Sequence, residues 1–292
     1  MSRILRKISE LKKKRKAIVI AHYFQNDEVQ DASDFVGGKL ECALFAGESK
    51  AEVIVVAGVG FMAELVKLLA PDKVVLHPRE DALCPMVAMV EAEQTEKIRD
   101  NTLVIGYIKS KPEQMALCHA VADLDRLEKL LEDKCVFLPD RYVGDYFSKK
   151  LGKKFMLAEG YCPPHTRILA GEVKKLKEEH AKADILAHPQ CRGDVLELAD
   201  FISNTTCMVD FVSHSAGSEF IVCTEIGLKH SLEKEFPEKS FYFPSEFALC
   251  RNHKSIDLGD IYLSMKEMEK KVEISEDIAE KARQALHAGG II

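Results

Sequence analysis

A chain of 292 residues, 47% of them hydrophobic, can bury the cores of two or three small domains, which excludes a disordered or fibrous protein. Its formal net charge of -6 argues against nucleic-acid binding, and no apolar stretch reaches the roughly 18 residues of a membrane span. Nine cysteines form an odd count in a chain too large to need disulfides, so reduced thiols or metal ligands are expected in a cytoplasmic protein that opens without an apolar signal segment.

Residues Ile4 to Lys16 predict a polar-faced helix whose basic run Leu11-Lys-Lys-Lys-Arg-Lys16 is its solvated end. The strand Ala17 to Ala21 follows, ending at His22-Tyr-Phe-Gln, and a helix is expected through Val29 to Leu44. Next come the strand Val53 to Val59, the helix Phe61 to Leu69, the strand Val74 to Leu76 and the segment Asp81-Ala-Leu-Cys-Pro. The same grammar restarts at Leu103-Val-Ile-Gly-Tyr107. It continues with the strand Cys135 to Leu138, a helix through Tyr142 to Leu151, the strand Phe155 to Leu157 and Gly160-Tyr-Cys-Pro-Pro-His. It restarts again at Asp184-Ile-Leu-Ala-His-Pro189. Here the strand Phe220 to Cys223, a helix through Leu228 to Phe236 and the strand Phe241 to Phe243 lead to Phe247-Ala-Leu-Cys-Arg. A last helix, Ile278 to His287, closes at Gly289-Gly290. Strands that alternate with helices imply parallel sheets covered on both faces. The expected fold is α/β, with three similar domains around a shared axis: residues 1–100, 101–180, and 181–292 with the final helix.

Each repeat ends its last strand at one cysteine: Cys84, Cys162 and Cys250. Ligands of open α/β sheets collect beyond the carboxyl ends of the strands, so three thiolates at that position point to one shared centre. Three thiolates with no fourth suit a [4Fe-4S] cluster that leaves one iron open to act as a Lewis acid. A three-cysteine zinc site and three unrelated buried thiols are the other readings of the same spacing. Cys42, Cys118, Cys135, Cys191, Cys207 and Cys223 read as core or incidental thiols, and His253, close after Cys250, has no strong claim as a ligand.

Several ordered segments resemble the quinolinate synthase family over essentially the whole chain. They are Ala21-His-Tyr-Phe-Gln, Val29-Gln-Asp-Ala-Ser-Asp-Phe-Val-Gly, Val56-Ala-Gly-Val-Gly-Phe-Met-Ala-Glu, Gly160-Tyr-Cys-Pro-Pro-His, Ala187-His-Pro-Gln-Cys and Val272-Glu-Ile-Ser-Glu-Asp-Ile-Ala-Glu-Lys-Ala. The resemblance implies three three-layer αβα domains about a pseudo-threefold axis, with Cys84, Cys162 and Cys250 binding a [4Fe-4S] cluster at the centre. It also implies condensation of iminoaspartate with dihydroxyacetone phosphate to quinolinate for NAD synthesis. His22, Tyr107 and His188 would handle protons, and His22, Tyr107, His165, His188 and Thr205 fall where the family has the same residue types. Iron-sulfur assembly proteins and an iminoaspartate-producing enzyme are the implied partners.

The resemblance weakens at particular positions. A typical member has tyrosine where this chain has Phe24, serine where it has Lys39, asparagine where it has Lys109, and glutamate where it has Gln190. The family's Thr-Ser-x-Asn segment is absent; the stretch matched there reads His119-Ala-Val-Ala122. These changes remove one negative charge and add two positive ones, which favours a more anionic substrate, provided that Lys39 and Lys109 face the cavity rather than solvent. A lysine among histidines can also form a Schiff base with a carbonyl. Three readings therefore compete: quinolinate synthase proper, a paralogous [4Fe-4S] enzyme with a more anionic substrate or a sulfide to carry, and a non-catalytic iron-sulfur sensor.

Overall fold

The computed structural model describes residues 2–292 and holds three four-stranded, all-parallel sheets. The first comprises β1 (Ala17–His22), β2 (Phe35–Gly37), β3 (Val53–Ala57) and β4 (Val74–Leu76). The second comprises β5 (Val104–Tyr107), β6 (Ala120–Ala122), β7 (Val136–Leu138) and β8 (Met156–Leu157). The third comprises β9 (Asp184–Ala187), β10 (Phe201–Ile202), β11 (Glu219–Cys223) and β12 (Ser240–Tyr242). The spatial order is the same in each: β2-β1-β3-β4, β6-β5-β7-β8 and β10-β9-β11-β12. Strand β3, Val-Ile-Val-Val-Ala, is buried along its whole length, as expected of a parallel strand covered on both faces. The three sheets and their helices bear out the α/β architecture of three similar units.

The sheets have four strands where the sequence predicts three. The run Val29 to Leu44 is not one helix: it splits into the helices Asp27–Ala32 and Lys39–Glu48, with β2 between them. The physical reason is local. The Asp34 carboxylate accepts from the Val19 N–H at 2.7 Å, and the Asp34 N–H donates to the Val19 carbonyl at 2.7 Å. That pairing draws the chain onto the edge of β1 and stops the helix, because a short polar side chain bonded to backbone competes with helical bonds. The second and third units use the same device, with Val104 N–H donating to His119 Nδ1 at 3.0 Å and Ile185 N–H to Asp200 Oδ2 at 2.8 Å.

Each chain path leaves its first strand toward one edge, then crosses back to the other side for its third strand. The switch point therefore lies between β1 and β3, between β5 and β7, and between β9 and β11, where open α/β sheets gather ligands at the strand carboxyl ends. The helix Leu258–Glu267, started by an Asp257/Asp260 capping box, packs on the first helix, Arg3–Arg15. The last helix, Glu276–Ala288, packs on β6 and the helix Pro112–Met115. It ends at Gly289, where any Cβ would collide with the Val121 carbonyl. Among the described residues, no helix is long and apolar enough to cross a membrane.

Candidate active site

The three switch points carry equivalent residues. His22 ends β1, Tyr107 ends β5, and His188 follows β9 directly. His22 Nδ1 accepts the N–H of Phe24 at 3.1 Å, and His188 Nδ1 accepts the N–H of Gln190 at 3.1 Å. Burial, reinforced by neighbouring basic groups, holds both imidazoles well below their ordinary pKa, so both are neutral. A neutral ring that accepts at Nδ1 carries its proton at Nε2, so each presents an Nε2–H donor.

The cysteines form a second set of equivalents. Each is the residue before a short helix: Cys84 before Pro85–Ala88, Cys162 before Pro163–Thr166, Cys250 before Arg251–Lys254. The carbonyls of Cys84, Cys162 and Cys250 accept from Ala88, Thr166 and Lys254, at 3.1, 3.2 and 3.1 Å. All three thiols are free and line one narrow cavity with His22, Phe24, Val59, Phe61, Met86, Lys109, Pro164, His165, Gln190 and His253. A larger groove lies along the first helix, lined by Leu5, Ile8, Lys12 and Lys16, and holds none of the three cysteines.

Burial raises the thiol pKa at Cys84, at Cys162 and, to about 11, at Cys250. The charge of one thiolate further opposes that of the next, and Lys109 works against this at Cys84 and Cys162. The set is thus costly to ionise without a cationic group between the sulfurs. Among the described residues, no three His, Cys, Asp or Glu side chains close on a point as ligands of a single ion. Three thiols, one from each unit, that share one cavity are the donor set that the sequence repeat points to at a shared centre. His165 braces this wall: its Nδ1 stands 3.1 Å from Cys162 Sγ and its Nε2 2.9 Å from Thr224 Oγ1. A ring that donates at Nδ1 to a thiolate accepts the threonine hydroxyl at Nε2.

Both unusual lysines turn inward; Lys39 is ion-paired, and Lys109 meets a neutral amide. Lys39 is 4% exposed, and its Nζ lies 2.9 Å from Asp123 Oδ2, across the junction of the first and second units. Lys109 lines the cavity and donates to Gln190 Oε1 at 2.6 Å, while Gln190 Nε2 donates to buried Asp140. Burial, with the charge of Lys39, pulls Lys109 down to about 8; burial pushes Asp140 up to about 6. The two ammonium groups lie 5.3 and 5.6 Å from the centre of the Tyr107 ring, whose buried hydroxyl has no hydrogen-bond partner. The expected excess of positive charge is therefore largely compensated in place: Asp123 answers Lys39, and Asp140 lies behind Gln190 where the family's glutamate charge is missing.

Of the residues singled out from sequence, His22, Lys109, His165, Gln190, Cys84, Cys162 and Cys250 line the cavity. His188 reaches it through His165, ring centres 4.6 Å apart. Tyr107 and Lys39 lie behind Lys109, and Thr205 is buried at the start of the helix Thr205–His214, outside the lining. Sequence reasoning passed over Asp123 and Asp140 and gave little weight to His253, whose ring lies 4.7 Å from that of His22. The signal was present in the repeat. His22, Tyr107 and His188 share a register with Phe24, Lys109 and Gln190, and the same register aligns Val59 with Asp140 and Glu225.

Residues 6–289 match the family model described as quinolinate synthetase A protein. The quinolinate synthase of Methanosarcina barkeri is 39% identical over 290 residues, covering 97% of this chain and 95% of that protein. That of Clostridium perfringens is 39% identical, covering 96% of each chain, and that of Aquifex aeolicus 36% identical, covering 96% of this chain and 91% of that protein.

Proposed function

This chain belongs to the quinolinate synthetase A family, and we propose on that basis that it condenses iminoaspartate with dihydroxyacetone phosphate to quinolinate, supplying NAD synthesis. The observation that carries this reading is the convergence of one cysteine from each of three units on a cavity walled by His22, His165 and His253. Cys84, Cys162 and Cys250 would hold a [4Fe-4S] cluster. Bound by three protein thiolates, it would supply a Lewis acid for the departure of substrate hydroxyls.

The chain's own residues do the rest. His22 donates its Nε2–H, and Lys109 an amine N–H, to substrate oxygens in the cavity, while His188 behind His165 and Tyr107 behind Lys109 pass protons to that lining. Phe24, Val59, Phe61 and Met86 exclude water, which strengthens each of these polar contacts. His165 keeps the Cys162 loop in position rather than meeting substrate first. Cytoplasmic location, help from iron-sulfur assembly proteins and supply by an iminoaspartate-producing enzyme belong to the same proposal.

A second reading is favoured by one observation, the amine of Lys109 in the cavity beside an amide instead of a carboxylate. It keeps the cluster and changes the substrate to a more anionic one, or to a carried sulfide. The test is anaerobic incubation of the cluster-loaded protein with iminoaspartate and dihydroxyacetone phosphate. Quinolinate in the product supports the first reading, and its absence at full cluster occupancy moves the assignment to the second.

A further inference from the structure

We propose that Lys109 forms an imine with the carbonyl carbon of a small ketone bound in this cavity, an inference that takes its ketone, dihydroxyacetone phosphate, from the function proposed above. Three geometric facts lead there. First, Lys109 is the one lysine in the cavity lining, facing Cys84, Cys162, His22 and His165, with Phe24, Val59, Phe61 and Met86 as apolar walls. A primary amine on the wall of such a cavity is placed to add to a carbonyl held there.

Second, the partner of Lys109 is an amide whose orientation is fixed from behind. Asp140 accepts from Gln190 Nε2, so Gln190 Oε1 must face Lys109, and it stands 2.6 Å from Nζ. A neutral amide oxygen takes one amine proton and leaves the lone pair of the nitrogen free for the cavity. A carboxylate at position 190 would hold the ammonium as an ion pair and block attack. The lysine and the glutamine are therefore matched to each other. Third, Lys39, the other lysine near Tyr107, cannot take this part: it is locked to Asp123 in a buried pair and lies outside the cavity lining.

The step balances without a co-reactant. The Lys109 nitrogen adds to the carbonyl carbon to give a carbinolamine; the two nitrogen protons leave with the carbonyl oxygen as water, and the carbon-nitrogen double bond remains. Hydrolysis of the imine later takes up one water and restores the carbonyl and the amine, so the overall reaction is unchanged. What the imine adds is a fixed position for the ketone carbon and a more acidic neighbouring C–H, which promotes carbon-carbon bond formation beside it.

The test is reductive trapping of the cluster-loaded protein with dihydroxyacetone phosphate and sodium cyanoborohydride, followed by proteolysis and mass spectrometry. The expected result is a reduced adduct on the Lys109 peptide that needs both ketone and hydride, is lost in Lys109→Arg and persists in Lys39→Arg. A folded wild-type protein labelled only at other lysines, or not at all, overturns the inference. The two proposals fail separately. Quinolinate formed with no trapped adduct removes the imine and keeps the condensation; an adduct with no quinolinate keeps the imine and removes the condensation.

Discussion

Lys39 and Asp123 meet 2.9 Å apart, with side chains 5% and 3% exposed, and join the first unit of the fold to the second. A buried pair contributes little net stability compared with apolar packing, but removing one partner strands the other charge. Lys39→Ser, which installs the family's usual residue, is therefore expected to cost about 3–5 kcal/mol in denaturant unfolding. The double variant Lys39→Ser with Asp123→Asn should recover most of that loss. Equal destabilisation by the single and double changes would mean that the pair is not the coupling element.

Gln190 and Phe24 govern the next expectation. A general acid or base typically contributes about 10² to 10⁴ in rate. A cavity with phenyl at position 24 and an amide at position 190 should therefore make quinolinate more slowly than one with tyrosine and glutamate there, by about 10² or more. Gln190→Glu alone should give no gain, because it places a second carboxylate against Asp140 and pins Lys109. Phe24→Tyr, which restores a phenol and leaves Lys109 and Gln190 in place, is the change expected to raise the rate. Steady-state kcat for the two variants decides it, and full activity in the unmodified chain would make the departures neutral.

Much of this site was legible because apolar strands and single cysteines repeat at a regular interval, and burial on both faces makes such strands conspicuous. The helices Phe61 to Leu69 and Tyr142 to Leu151 fell within a residue or so of the observed Gly60–Leu69 and Arg141–Leu151. The edge strands β2, β6 and β10 did not show. They are two or three residues long, too short for any period, and the apolar residues around β2 extend a helical pattern across it. The charge partners were hidden for a different reason. Asp123 and Asp140 are helix N-caps, accepting from Leu124 and from Tyr142 and Val143, a role that is complete within one unit. Their second role toward Lys39 and Gln190 exists only once separate units are brought together.

Glu64 gives a prediction in pH. Burial, with Glu113 nearby, raises its carboxyl to about 7 from an ordinary 4.5, and one carboxylate oxygen is buried without a partner. The folded protein thus binds a proton more readily than the unfolded chain. Stability from this group is full below the unfolded value and falls as pH rises from about 4.5 to about 7. Glu64→Gln removes the penalty, so it should stabilise the protein at pH 8, by no more than about 3 kcal/mol, and do little at pH 4. Thermal melts at the two pH values check this, and a pH-independent effect would assign the change to packing.

The cysteine variants separate the cluster from the fold. Cys84, Cys162 and Cys250 are each only partly buried and begin short helices held by backbone bonds, so Ala at any one of them leaves those bonds intact. A structural thiol would show itself as lost stability of the cluster-free protein, and little loss is expected here. A ligand would show itself as lost iron, because two thiolates cannot hold what three hold, and the absorption shoulder of the cluster in the visible range should fall with it. Cys118→Ala and Cys135→Ala are the controls. Both thiols are packed in the core away from the cavity, so they should keep their iron and lose stability instead. Full iron in all three ligand variants, or stoichiometric zinc in the unmodified protein, would show that the three thiols do not hold a cluster.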